Sequence, residues 1–330
     1  MAKHWYFAFV LCCCFLASTT LTTTSYPSSL TIIEDWLWPL NTINLRLYFK
    51  SNYTYKEVNS RNSTHLLQYM DLTKCTVLHC HGYRNTADSP NVVAITEAYL
   101  DGYDCNIIVA DYRYVTYRFY ISVVSLIEAV AVVLIESIEL LVANGMNSET
   151  FVLSGHSMGS QIIGDIARNL SFTVSQIMAM DPAGPLFGFP ERTISAADAR
   201  CVKCIHSDMG YAGTIVPCGH QDYYPNGGRR IQPGCPITED LLDMCSHIRA
   251  GDFIRESALH PNSVLGIRCN SWEDFIAGNC DKSAIIPMSQ NGPCNITGKF
   301  YFQSNANCPL GRGMLGTVYK PLLSVINEGH

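Results

Sequence analysis

The 330-residue chain has no basic run longer than Arg229-Arg230, and its net charge is -6. Nucleic acid and strongly anionic membrane surfaces are therefore excluded as main partners. Nor does it contain an uninterrupted apolar run of the ~20 residues that a membrane-crossing helix needs. The first apolar run, from Trp5 to Ala17, follows Lys3-His4 and precedes a Ser/Thr tract. This reads as a secretory signal peptide over residues 1–20, cleaved between 17 and 25, so no transmembrane segment is expected. Residues 21–330 are then ample for one large domain located outside the cell. The second apolar run, 121–143, is interrupted by Glu128, Glu136 and Glu139. At helical pitch these three fall within about 80° of one another, which predicts an amphipathic helix packed on a sheet. Internal repeats are also missing, as is low complexity beyond the leader.

Cysteine, by contrast, is plentiful. Of 15 cysteines the leader holds Cys12, Cys13 and Cys14. The remaining 12 are Cys75, Cys80, Cys105, Cys201, Cys204, Cys218, Cys235, Cys245, Cys269, Cys280, Cys294 and Cys308. An even number in a secreted chain predicts disulfides. Cys201-x-x-Cys204 followed by Cys218-Gly-His220 superficially resembles zinc-ligand spacing, but secretion favours disulfides there too. Asn52, Asn62, Asn169 and Asn295 each begin an Asn-x-Ser/Thr glycosylation pattern, in agreement with secretion.

The order of elements predicts an α/β fold. Residues 43–49 alternate as an antiparallel edge strand would, whereas 76–80, 106–110 and 176–180 read as short buried strands. Helical patterns at 93–99, 121–143 and 161–168 fall between them, implying a mainly parallel sheet covered on both faces. Sites in such sheets gather at the carboxyl ends of strands, where His81-Gly82-Tyr83, Ser157 and Asp181-Pro182 lie.

Gly155-His156-Ser157-Met158-Gly159 carries the chemistry. The bare Gly-x-Ser-x-Gly pattern is weak; its position between the β-branched strand residues 150–153 and a helical pattern reads as a serine on a sharp turn. A hydroxyl needs an imidazole to take its proton and a carboxylate to fix the imidazole tautomer. Asp181, which ends an apolar strand, supplies the carboxylate. His247, in Cys245-Ser246-His247, and His206, at the end of the run 202–205, are both candidates for the base, with His247 modestly ahead. The backbone amide of Met158 and that of Tyr83, presented by Gly82, are candidate donors to an oxyanion.

From about Leu45 to Gly313 these motifs occur in the order found in the secreted pancreatic-lipase family, and the chain resembles its phospholipase A1 branch, which includes wasp venom phospholipases and many insect lipases. Further matches are Ile205-His206-Ser207-Asp208, the run from Gly219 to Gly228 and Gln232-Pro233-Gly234-Cys235. The resemblance implies a single-domain α/β-hydrolase fold without the C-terminal β-sandwich of pancreatic and lipoprotein lipases, and no colipase partner. It implies Ser157 as nucleophile, Asp181 as acid, His247 rather than His206 as base, Tyr83 and Met158 as the oxyanion hole, and no cofactor or metal. It further implies a disulfide between Cys235 and Cys245 at the base of a lid loop, and another between Cys269 and Cys280. Two departures stand out: Ser160-Gln161 replaces the usual Ala-His, and Cys80 replaces an aliphatic residue.

The lid, 236–244, is short, and the neighbouring loop 207–218 looks shortened as well. In the family, that combination goes with phospholipase A1 action on an acyl-lipid substrate at an interface. Ile237, Leu241, Leu242 and Met244 are the lid residues available to touch lipid. A neutral triacylglycerol lipase or galactolipase is the alternative. A non-catalytic yolk-type protein is less favoured, because Ser157, Asp181 and His247 all persist.

Overall fold

The computed structural model describes residues 38–188, 192–238 and 244–321. The predicted signal peptide therefore lies outside the described residues, as do Leu241 and Leu242 of the lid. Described residues from Pro39 onward form one compact unit.

Its centre is an 11-stranded sheet. In chain order the strands are β1 (Asn44–Tyr48), β2 (Tyr55–Asn59), β3 (Cys75–Cys80), β4 (Cys105–Asp111), β5 (Phe151–His156), β6 (Gln176–Met180), β7 (Val202–Ile205), β8 (Gln221–Pro225), β9 (Leu265–Arg268), β10 (Asp281–Pro287) and β11 (Gly298–Phe302). Spatially they run β10-β9-β11-β8-β7-β6-β5-β3-β4-β1-β2. The stretch from β4 through β3, β5, β6, β7 and β8 to β11 is parallel. Antiparallel pairs close both ends: β1 with β4 and β2, and β9 with β11 and β10. The expected edge strand at 43–49 is thus covered. The polar, exposed β2 pairs with it and forms the edge.

Side chains alternate across the parallel strands, so successive residues enter different cores. On one face, Leu78, Ile108, Leu153, Ile177 and Val202 pack with helices α2 (Tyr120–Ala143) and α3 (Met158–Asn169). On the other, Val77, Ile107, Val152, Met178 and Ile205 pack with α1 (Pro90–Gly102) and α4 (Cys245–Leu259). Helix α2 has the length and apolarity of a membrane span, yet Val123, Ile127, Val130 and Leu134 are buried in the core while Glu128 and Glu136 stay exposed. This is the amphipathic helix that the spacing of its glutamates predicts.

Disulfides join Cys75 to Cys105, Cys201 to Cys294, Cys204 to Cys218, Cys235 to Cys245 and Cys269 to Cys280. Cys80 and Cys308 remain free, so the even count overstates the pairing. Cys80 is buried in the core on the face covered by α2 and α3, while Cys308 is exposed. Asn52, Asn62, Asn169 and Asn295 are all exposed.

Candidate active site

β5 ends at His156 and α3 begins at Met158, which leaves Ser157 alone to make the reversal. Its φ of 57° and ψ of -122° are strained for a residue with a side chain. The surroundings hold it there. Its N–H donates to the Met180 carbonyl at 2.9 Å, and its own carbonyl accepts from the N–H of Ala183 at 3.1 Å. The flanking glycines permit the close approach: a Cβ on Gly155 would sit 2.6 Å from the Gly159 carbonyl oxygen, and one on Gly159 only 2.1 Å from that of Cys80.

Asp181 follows β6, is fully buried and also has a positive φ, 40°. Its Oδ1 accepts from the amides of Ser207 at 2.8 Å and Asp208 at 3.1 Å. Its Oδ2 lies 2.5 Å from Nδ1 of His247, an ion-pair geometry once the imidazole is charged. An acceptor-only carboxylate assigns the proton to Nδ1, which leaves Nε2 free to accept. His247 stands in the first turn of α4, two residues after the Cys235–Cys245 disulfide. The structure therefore brings Ser157, Asp181 and His247 to one end of the sheet and pairs the acid with His247.

His206 goes elsewhere. Its Nε2 lies 2.8 Å from Oδ1 of Asp222, and its ring stacks on Tyr224 with centroids 4.8 Å apart. The zinc-like spacing is taken up differently as well, because Cys201, Cys204 and Cys218 are all in disulfides and Nδ1 of His220 accepts from the Val202 amide at 3.1 Å.

The His81-Gly82-Tyr83 loop lies over the elbow: a Cβ on Gly82 would stand 3.0 Å from that of Ser157. His81 is buried and stacked on Tyr112, centroids 4.0 Å apart, and the Tyr112 hydroxyl donates to the His81 carbonyl. Beneath the stack lies Asp111. Burial alone raises its pKa, yet the neighbouring His81, 3.8 Å away, and the hydrogen-bonded Arg113 guanidinium outweigh that and hold it well below the usual carboxylate range. The Tyr83 hydroxyl donates to the Arg118 carbonyl at 3.0 Å, and its ring meets Tyr120 edge-on at 5.2 Å. These contacts fix the loop that carries the Tyr83 amide. Met158, the other candidate donor, is buried as the first residue of α3.

Two residues at the site escaped the sequence reading. His156 lies within the pentapeptide, and its Nε2–H donates to the His247 carbonyl at 3.0 Å. Gln161 is one of the departures from the pattern; its Nε2 donates to the Ala183 carbonyl at 2.7 Å and its Oε1 accepts from the Ile194 amide at 3.0 Å. It thereby ties α3 to the segments on either side of the loop after Asp181. Only the fold reveals both partners.

The family model described as Lipase matches residues 17–298. The chain belongs to the lipase family. Lipase member H-A of Xenopus laevis is 34% identical over 269 residues, which are 78% of this chain and 57% of that protein. Phospholipase A1 member A of Bos taurus is 29% identical over 212 residues, 62% of this chain and 46% of that protein. The chain thus spans about half the length of these relatives. Among solved structures, esterase PE8 has a TM-score of 0.35 at 18% identity, covering 43% of this chain and 73% of that one. A phospholipase/carboxylesterase from Dyadobacter fermentans has a TM-score of 0.33 at 13% identity, covering 54% and 75%. The sheet order and the two helical layers are those of an α/β-hydrolase.

Proposed function

We propose that this protein is a secreted lipid esterase acting through an acyl-enzyme on Ser157, with the sn-1 ester of phospholipids as its preferred substrate. The reading rests on one observation above all, the hydrogen bond between Asp181 and Nδ1 of His247 beside the strained Ser157. In the proposed sequence His247 Nε2 takes the Ser157 proton as Oγ attacks the ester carbonyl. Asp181 is prevented from turning by two further amide donors, and stabilises the imidazolium. The amides of Tyr83 and Met158 receive the oxyanion. His247 then protonates the departing lysolipid alkoxide, and a water activated by the same imidazole releases the fatty acid.

The phospholipid preference is supported by the short lid, since Cys235 and Cys245 are only 10 positions apart. Ile237, next to the first of them, is almost wholly exposed. Secretion is supported by the disulfides and the exposed glycosylation patterns. The test is an assay of purified protein and its Ser157→Ala form on phospholipids labelled separately at the two acyl positions, alongside a triacylglycerol. Release from the first position alone, abolished by the substitution, is expected. Triacylglycerol cleavage without phospholipid cleavage refutes the preference, and hydrolysis of neither refutes the esterase reading.

A further inference from the structure

Gly82 joins two peptide planes, and without a side chain it does little to limit the rotation of either. Both are held from outside by one stacked pair. The carbonyl of His81, in the first plane, accepts from the Tyr112 hydroxyl. The carbonyl of Gly82, in the second, lies 3.1 Å from Nδ1 of His81, whose ring stacks on that same tyrosine. A carbonyl oxygen only accepts, so Nδ1 carries the proton and donates it. The other ring nitrogen is held as well: Nε2 accepts from the Tyr112 amide at 3.4 Å, and Oδ1 of Asp111 lies 3.8 Å away. The imidazole is wholly buried.

The second plane also carries the Tyr83 amide. The Gly82–Tyr83 bond is trans. In a trans peptide the C=O and the N–H point in opposite directions, so holding the Gly82 carbonyl toward His81 turns the Tyr83 N–H away from the buried imidazole. That N–H donates to no protein acceptor among the described residues. The two amides after it are used: Arg84 donates to the Thr116 carbonyl at 3.4 Å, and Asn85 to the Gly82 carbonyl at 3.3 Å. The Asn85 bond closes a turn within the loop itself. Only the His81 bond ties the plane to the stack at the end of β4. Gly82 meanwhile lies against the elbow, where a Cβ on it would stand 3.0 Å from that of Ser157. A free donor is thus left beside the candidate nucleophile.

We infer that His81 is a positioning residue for ester hydrolysis: its Nδ1–H fixes the Gly82–Tyr83 peptide so that the Tyr83 amide is presented to an oxyanion formed at Ser157. His81 acts through the main chain rather than on the reacting atoms. Tyr112 and Asp111 hold its ring, so the end of β4 sets the aim of a donor carried by the loop after β3. A peptide free to rotate has to reorient as charge develops on the ester oxygen, whereas a fixed one is already in place. This inference rests on the lipid-esterase reading.

The experiment measures kcat and KM of the full-length natural protein, His81→Leu, His81→Asn and His81→Gln on a monomeric, water-soluble short-chain ester. Alongside it runs inhibition by a trifluoromethyl ketone, which adds to an activated serine as a tetrahedral oxyanion. Leucine is expected to lower kcat about tenfold to a hundredfold with KM little changed, and to weaken binding of the ketone by the same factor. Asparagine keeps an N–H near the position of Nδ1 and should recover most of both losses. Glutamine places its amide near the position of Nε2 and should not. Equal defects in the three variants, or a raised KM at unchanged kcat, overturn the proposal, because the ring then only fills space. NMR of the natural protein labelled with 15N-histidine covers the case in which the variants fail to fold: Nδ1 of His81 must carry a proton, and an unprotonated Nδ1 overturns the proposal. A natural protein that neither hydrolyses the ester nor binds the ketone overturns the lipid-esterase reading and this role with it. An active natural protein whose leucine variant is equally active overturns this role alone.

Discussion

The Nε2–H of His156 holds the main-chain carbonyl of His247 at 3.0 Å, so the residue just before the candidate nucleophile grips the backbone of the candidate base. Their rings are 4.6 Å apart. Burial, and secondarily the charge on His247, push the His156 imidazole down to about 3, which keeps it neutral. A neutral neighbour spares His247 a like charge when it accepts the serine proton.

His156→Leu is expected to lower kcat about tenfold with KM little changed, because it leaves a buried carbonyl unpaired at a cost of about 1–3 kcal/mol. His156→Gln retains an N–H donor and should recover most of the loss. Equal defects in the two variants would show that the ring only fills space.

Stability should fall in acid through His79 as well as His156. Burial is the main cause that pushes each from the ordinary 6.5 to about 3. Between those values the unfolded chain binds protons that the folded chain refuses. The contribution is therefore complete above pH 6.5 and is lost as pH falls toward 3, by about 1.4 kcal/mol per unit for each group. Urea midpoints from pH 7 to pH 4 check this: the His79→Gln curve should be shallower than that of the natural chain, and parallel curves would contradict the account.

The glycines divide into two kinds. Alanine at Gly159 meets the Cys80 carbonyl oxygen at 2.1 Å, main chain that cannot swing aside, so a loss beyond about 3 kcal/mol is expected. Alanine at Gly278 has open space around it and bears only the positive φ of 74°, at about 1 kcal/mol. Comparing thermal midpoints of the two variants checks the ranking.

The free thiols should differ sharply. Cys308 is exposed and should react with maleimide in the folded protein. Cys80 is buried in β3, and desolvation pushes its thiol up to about 12, so it should react only after unfolding. Peptide mapping of the adducts distinguishes the two, and early labelling of Cys80 would contradict the buried assignment.

Local signals carried most of the fold and part of the candidate site. The β-branched run before Ser157, the glutamate edge of α2 and the apolar strand before Asp181 each follow from side-chain period, which a sequence displays directly. What escaped depended on partners distant in sequence. Spacing placed His247 only modestly ahead of His206 as the candidate base, because the carboxylates that distinguish them, Asp222 beside His206 and Asp181 beside His247, come from distant strands. The β2 edge was missed because alternation in β1 says nothing of what covers it. Gln161 is a departure whose role, hydrogen bonds to Ala183 and Ile194, is visible only in the fold. Cysteine parity predicted disulfides, and five form, but which cysteines pair and which stay free is set by geometry rather than number.

The central claim is that Ser157 is an activated nucleophile, and the direct measurement is reaction of the folded protein with a serine-directed alkyl phosphonate, followed by mass-spectrometric mapping. The account predicts a single adduct on Ser157, absent after unfolding and strongly reduced in His247→Ala. No adduct in the folded protein, or one on a different serine, would contradict it.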